Sequence, residues 1–191
     1  MEKIILASKS PRRRELLAKI YPDFEVLTRD VNEELPEGTD VRLGTELLAV
    51  RKGRAVAEVT SPDCLVISSD TLVELDGIAL GKPASESDAF NMLRALSGRA
   101  HNVHTGVAVH YRGRVCSGVA TSAVYFRELT DKEILDYIAT GEPMDKAGSY
   151  GIQGLGGAFV SHYDGDFDTV MGLSLTLTRL LIEKIKGKSN E

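Results

Sequence analysis

At 191 residues the chain is long enough for one well-cored domain, or for two small lobes sharing a cleft. A hydrophobic share of 42% beside 27% charged residues is that of an ordinary globular protein, and no run approaches the ~18 apolar residues of a membrane span. Lys+Arg 23 against Asp+Glu 28 leaves a formal net charge of -5, which argues against general nucleic-acid binding, because such binding depends on neutralising backbone phosphates. Cys64 and Cys116 show neither metal-type spacing nor a disulfide framework, so buried free thiols in a reducing cytosol are expected. The first residues lack a basic region followed by a long apolar stretch, so no signal peptide is expected.

Ile4–Ala7 reads as a strand. Ser10 then suits an N-cap and Pro11 the first helical position, with Leu16, Leu17 and Ile20 forming the buried face of a short helix. Arg12, Arg13 and Arg14 fall in its first turn. That is the wrong end for cations, since a helix N-terminus carries about half a positive charge and each misplaced cation costs about 0.3–1 kcal/mol. A bound anion such as phosphate would complete such a site, because free N–H groups and the dipole already favour it. A solvated basic helix end explains the run equally well. Phe24–Leu27 reads as a short strand, followed by an acidic loop from Asp30 to Gly38. Thr39 to Glu58 reads as a long helix with Thr or Asp as its N-cap, weakened by Gly44 and Gly53.

Cys64–Ile67 is a buried strand expected to end at Ser68-Ser69-Asp70-Thr71. Leu72–Leu75 and Ile78–Leu80 flank Asp76-Gly77, a strong type I′ hairpin signal. Ser85 and Asp88 resemble a capping box, and Ala89, Met92, Leu93 and Leu96 form a helical stripe. Val103–Tyr111 and Val115–Phe126 form an antiparallel pair around Arg112-Gly113. Thr130 and Glu133 cap a helix through Ala139, closed by Gly141. Gly148 to Gly157 is a glycine-rich loop and Phe159–Tyr163 a strand. A final helix carries Leu177, Leu180, Leu181 and Ile185, and the tail from Gly187 is expected to fray. No repeat or long linker splits the chain, so one domain over 1–191, of α/β or α+β type, is expected.

Asp70, at a strand end, is the foremost candidate for chemistry, although an Asx-turn residue would look the same. Glu33 and Glu34 lie in the acidic loop, where carboxylates near phosphate-binding cations suggest Mg²⁺ or Mn²⁺. Lys82, between Gly81 and Pro83, and Lys52, flanked by Arg51 and Arg54, are candidate phosphate ligands or plain surface cations. Several chemistries are excluded. There is no G-x-x-x-x-G-K-[ST] run and no G-x-S-x-G elbow. The segment 151–157 does not match G-x-G-x-x-G and precedes no clear helix. His101 and His104, three apart on a strand, point to opposite faces and do not suit zinc.

The segments together resemble the Maf family of nucleoside triphosphate pyrophosphatases. The matching stretches are Leu6 to Leu17 with its Ser-Lys-Ser-Pro-Arg-Arg core, Glu33, Lys52, Ser69-Asp70-Thr71 and Gly81-Lys82-Pro83. They continue with Leu96-Ser97-Gly98, His101, Thr105-Gly106-Val107, Lys146 to Gly154, Gly165-Asp166 and Gly172-Leu173, and so cover nearly the whole chain. Ser174 and Gly53 depart from the family's frequent Pro and Ala.

The resemblance implies an α/β fold similar to that of the inosine triphosphate pyrophosphatases: a mixed twisted sheet flanked by helices, in two lobes around a cleft. It implies hydrolysis of the α–β phosphoanhydride to nucleoside monophosphate and pyrophosphate, a divalent metal (Mg²⁺ or Mn²⁺), a cytoplasmic homodimer and no membrane partner. By position, Asp70 would be the proton acceptor or else bind the metal that acidifies the water, Ser8, Arg13, Lys52 and Lys82 would hold phosphates, and Glu33 would help bind metal. The family's dTTP/UTP branch keeps Arg, Thr and Gln where this chain has Arg12, Thr71 and Gln153. Its 7-methyl-GTP branch carries a bulky aromatic, Gln and Glu there. A cationic methylated guanine suits an aromatic face and a carboxylate, whereas thymine and uracil present an imide edge that an amide can match. The reading is therefore a dTTP/UTP pyrophosphatase that removes surplus or non-standard nucleotides. The alternatives are a 7-methyl-GTP pyrophosphatase, or a nucleotide- or RNA-binding regulator linked to septum formation. The acidic balance and the absence of an aromatic–basic stripe count against RNA.

Overall fold

The structure is a computed structural model that describes residues 2–187. They fall into two units. The first holds the residues up to Asp70, Thr105–Ala120 and those from Gly172 onward. The second holds Thr71–His104 and Thr121–Met171.

In the first unit, β1 (Ile4–Leu6) pairs in parallel with β2 (Glu25–Val26) and with β3 (Leu65–Leu75), Ile5 lying opposite both Glu25 and Val66. All residues of β1 are buried, as a central parallel strand requires. α1 (Pro11–Ala18) starts at Ser10, whose side chain accepts from the Arg13 N–H, and buries Leu16 and Leu17. α2 (Val41–Ala57) is capped by Asp40, whose carboxylate accepts from the Leu43 N–H at 2.9 Å. The competing candidate, Thr39, turns away and donates its hydroxyl to the Pro36 carbonyl at 2.6 Å.

The glycines of α2 do not break it, because packing needs one of them. A Cβ on Gly53 would lie 2.4 Å from Ser68 Oγ and 2.6 Å from the His110 ring. Gly106, on β5 (Ala100–Tyr111), meets the helix in the same way: a Cβ there would lie 2.4 Å from the Thr45 carbonyl oxygen. The helix thus settles closer to the sheet than side chains would permit, which outweighs the cost of about 1 kcal/mol for glycine in a helix. α6 (Leu175–Ile185), capped by Ser174, buries Thr178, Leu181, Ile182 and Ile185. Leu180, on the same helix, is 57% exposed, because the helical period centres the buried face on Thr178 and Ile182. The tail expected to fray beyond Gly187 lies outside the described residues.

In the second unit, β3 pairs antiparallel with β4 (Ile78–Leu80) through a turn in which Asp76 and Gly77 have φ of 54° and 80°, the signs a type I′ turn requires. α3 (Glu86–Leu96) is capped by Ser85. The reciprocal half of its expected box differs: the Asp88 carboxylate accepts from the Ala84 N–H, not from Ser85. α4 (Asp131–Ile138) has both halves of the capping box, through Thr130 and Glu133. β6 (Arg114–Phe126) pairs antiparallel with β7 (Val160–Asp164). Leu93, Leu96, Val103, Val124, Phe126, Ile134, Tyr137, Tyr150 and Phe159 belong to one apolar core.

Three expectations change here. Residues 148–157 are not a plain loop, since 3-10 turns form at Ala147–Ser149 and Leu155–Phe159. The latter begins within the 151–157 segment and leads into β7. A short helix, α5 (Phe167–Met171), was not anticipated. Third, β3 does not end at its polar residues. It runs unbroken to Leu75, because Ser68 Oγ donates to the Ala49 carbonyl at 2.7 Å and Ser69 Oγ to the Gly172 carbonyl at 2.8 Å. Buried hydroxyls with partners do not force a strand to stop.

Strands pair in the order β2-β1-β3-β5-β6-β7, with β4 on β3, a mixed sheet with both parallel and antiparallel neighbours. With its helices this is the α/β fold expected. Cys64 is buried and Cys116 half-buried, and both are free thiols. Among the described residues, no helix is long and apolar enough to cross a membrane.

Candidate active site

The first unit gathers six of the predicted residues. Asp70 is 7% exposed and lies within β3, not in a turn, which removes the Asx-turn reading. Lys52 projects from α2, and its ammonium lies 2.5 Å from Asp70 Oδ1 and 3.0 Å from Glu33 Oε1. One half-buried cation therefore joins a buried carboxylate to an exposed one. Glu33 is held in place from behind. Arg51 Nη1 donates to the Asn32 carbonyl at 3.2 Å and to the Glu34 carbonyl at 2.7 Å, and Asn32 Oδ1 accepts from the Glu34 N–H at 2.8 Å. Successive residues of α2 thus serve one loop: Arg51 grips its backbone and Lys52 meets its side chain.

Around α1, Ser8 is buried, and its Oγ accepts from the Ser10 N–H at 3.2 Å and from Arg13 Nη1 at 3.4 Å. Arg13 Nε donates to the Gly172 carbonyl and its Nη1 to the Ser69 carbonyl, each at 2.8 Å. The Gly172 carbonyl also accepts from Ser69 Oγ. Arg13 therefore ties the helix start to the strand residue next to Asp70. Burial pushes its guanidinium pKa down, and the nearby Asp70 carboxylate opposes that shift. Arg12 is half-buried and has no ion-pair partner among the described residues.

Thr71, Lys82 and Gln153 belong to the second unit. Thr71 is half-buried in β3, while Lys82 and Gln153 are exposed. The Gly81 carbonyl beside Lys82 accepts from the Gly148 N–H at 3.0 Å, so the Gly-Lys-Pro and Lys-Ala-Gly-Ser-Tyr motifs dock on one another. His101 belongs to the support of that region, with Nε2 2.8 Å from the Tyr150 hydroxyl. His104 has different partners, Glu74 Oε2 at 2.5 Å and Thr121 Oγ1 at 2.8 Å.

A sequence profile described as Maf-like protein matches residues 3–185. The chain belongs to the Maf family. Among its Maf-type relatives, a dTTP/UTP pyrophosphatase of Photorhabdus laumondii is 45% identical over 194 residues, spanning 100% of both chains. Another protein of that description, from Thermococcus onnurineus, is 47% identical over 180 residues, spanning 94% of this chain and 96% of the relative. The Maf-family fold is similar to that of the Staphylococcus aureus Ham1 protein, with a TM-score of 0.53 at 20% identity over 98% of this chain and 100% of that one. It is also similar to protein VC0702 from Vibrio cholerae, with a TM-score of 0.50 at 16% identity over 98% of each chain.

The donor chemistry of this Maf-family site suits a hard divalent cation. Asp70 and Glu33 offer carboxylate oxygens that already converge on one positive group. Among the described residues, no cluster of three or more His, Cys, Asp or Glu residues is built to hold a metal ion. Two carboxylates fit a hard divalent cation that keeps several waters among its ligands. The sequence marks Arg51 only as a basic neighbour of Lys52 and does not mark the carbonyl of Gly172, because a backbone acceptor is the same in every residue.

Proposed function

We propose that this chain hydrolyses dTTP and UTP to the nucleoside monophosphate and pyrophosphate. The observation that carries the reading is the Lys52 ammonium between Asp70 and Glu33, in a chain whose relatives are named dTTP/UTP pyrophosphatases. Asp70 accepts the proton of the attacking water while the anhydride P–O bond breaks and pyrophosphate leaves. Lys52, Lys82 and the α1 end with Ser8 and Arg13 offset the phosphate charge. Arg13 does so from a fixed place, since its Nε and Nη1 are bonded to carbonyls. Glu33 and Asp70 would hold Mg²⁺ or Mn²⁺, which supplies further charge neutralisation on the triphosphate.

Base choice is assigned to Arg12, Thr71 and Gln153, the amide of Gln153 matching an imide edge by donating and accepting at once. In this reading residues 1–191 act as one functional domain that clears surplus or non-standard nucleotides. The cytoplasmic location and the homodimer rest on the family resemblance alone.

The test is a nucleotide panel with Mg²⁺ or Mn²⁺, assaying pyrophosphate and orthophosphate separately. Pyrophosphate from dTTP and UTP is the expected product. Nucleoside diphosphate and orthophosphate as first products would refute the cleavage position, and a preference for 7-methyl-GTP would refute the branch.

A further inference from the structure

Gln153 is exposed, but the backbone on both sides of it is tied down by two side chains. Tyr137, on α4, donates its hydroxyl to Glu142 Oε1 at 2.9 Å and accepts from the Gly151 N–H at 3.3 Å. Glu142, in the 3-10 turn Glu142–Asp145, accepts from the Leu155 N–H on Oε2 at 2.9 Å and from the Gly156 N–H on Oε1 at 3.2 Å. One carboxylate and one phenol thus satisfy the N–H groups two before, two after and three after Gln153. Gly154 makes the approach possible, since a Cβ there would lie 2.2 Å from Glu142 Oε1.

The chemistry of this pair suits a fixed scaffold. Burial pushes the Glu142 carboxyl up, but the Leu155 and Gly156 N–H groups, the Tyr137 hydroxyl and Lys146 outweigh it, so the net shift is down and the carboxylate stays charged. Charge-assisted hydrogen bonds to backbone N–H are stronger than neutral ones. Tyr137 is 4% exposed, and its ring packs edge-on against Phe159 at 4.9 Å between centroids. The anchor is therefore joined to the apolar core of its unit.

We propose that Glu142 and Tyr137 are the positioning residues of base selection: by closing the 151–156 segment they hold the Gln153 amide where it meets the imide edge of the base. This rests on the assignment of base reading to Gln153. An exposed glutamine on an unanchored glycine-rich segment would lose backbone freedom on binding, and that loss would fall on whatever base entered. Anchoring in advance lets the difference between bases appear as a difference in binding.

The experiment measures kcat and KM for UTP and for 7-methyl-GTP in the parent, Tyr137→Phe, Glu142→Gln, Gln153→Glu and the double variant Tyr137→Phe/Gln153→Glu. Amide exchange of Gly151, Leu155 and Gly156 is followed alongside. Tyr137→Phe keeps the ring and its packing, so it remains informative if Glu142→Gln does not fold. Expected is a fall of ~5- to 10-fold in the kcat/KM ratio of UTP over 7-methyl-GTP for each anchor variant, carried by KM and matched by faster exchange. The double variant should fall no further than Gln153→Glu alone, because the anchor acts through that side chain. Equal losses on both nucleotides, with the ratio unchanged, would mean a merely structural role and overturn the proposal. So would a ratio moved by Gln153→Glu and untouched by either anchor variant. A ratio that Gln153→Glu itself leaves unchanged defeats the base-reading assignment, and is recognisable because that variant fails irrespective of the anchors.

Discussion

Lys52 Nζ lies 2.5 Å from Asp70 Oδ1, a side chain of α2 paired with a carboxylate buried in β3. An unpaired buried carboxylate would be costly, and the lysine supplies the counter-charge that Asp70 needs. The same ammonium reaches Glu33, which leaves the carboxylates and the cation as one electrostatic unit. Asp70→Asn keeps the size of the side chain and removes its basicity. It should lower kcat by at least ~100-fold, the usual scale for losing a general base, with the far-UV spectrum and cooperative unfolding retained. A folded Asp70→Asn enzyme with full activity would remove Asp70 from catalysis.

Arg51 grips the loop that presents Glu33, through the Asn32 and Glu34 carbonyls. Arg51→Ala should leave Asp70 and Lys52 in place and loosen Glu33. The Mg²⁺ concentration needed for half-maximal rate should rise ~3- to 10-fold, corresponding to the loss of one modest hydrogen-bonded anchor, while the rate at saturating Mg²⁺ changes less. A metal titration of parent and variant decides this, and identical curves would show that Glu33 does not depend on Arg51.

A Cβ on Gly53 would lie 2.6 Å from the His110 ring across the helix–sheet packing. Gly53→Ala gains about 1 kcal/mol of helix propensity and loses about 1–3 kcal/mol to overpacking, so a net destabilisation is expected. The same change in a His110→Ala background should cost about 1 kcal/mol less, since the ring that the methyl group meets is gone. Urea denaturation of the single and double variants measures the coupling, and additive costs would contradict the contact.

His101 is buried, its Nε2 is bonded to Tyr150, and its Nδ1 has no partner among the described residues. Burial pushes its pKa down to about 4. The unfolded chain, with an ordinary histidine pKa of 6.5, then binds more protons than the folded one between pH 6.5 and 4. Stability should accordingly fall as pH drops through that window, by up to about 3 kcal/mol from this group at 1.36 kcal/mol per pKa unit. Burial and Arg54 lower the His110 pKa as well, so the comparison must be with a variant. His101→Gln should be less stable at pH 7 and lose less on acidification. Parallel pH profiles for parent and variant would count against this assignment.

Much of the molecule follows from local chemistry. Ser10-Pro11 starts α1, the Thr130–Glu133 box starts α4, and the Asp76-Gly77 and Arg112-Gly113 turns adopt the positive φ angles their hairpins need. These features depend on residues within a few positions of one another, where propensity, capping and turn stereochemistry act. The family motifs likewise marked Ser8, Lys52, Asp70 and Lys82, because their residue types and order stand in the chain itself. What the sequence hid are relations set by packing. Ser68-Ser69-Asp70-Thr71 looked like a strand end, yet β3 continues, because acceptors far along the chain, the Ala49 and Gly172 carbonyls, satisfy its hydroxyls. Gly53 looked like a helix defect until Ser68 and His110 proved to occupy the space of its missing side chain. Nothing in the sequence marks Tyr137 or Glu142; the fold turns both toward the N–H groups around Gln153. Backbone acceptors and donors are identical in every residue, so a sequence cannot say which of them a side chain will meet. Only the tertiary structure, by bringing distant segments within hydrogen-bond reach, makes that choice.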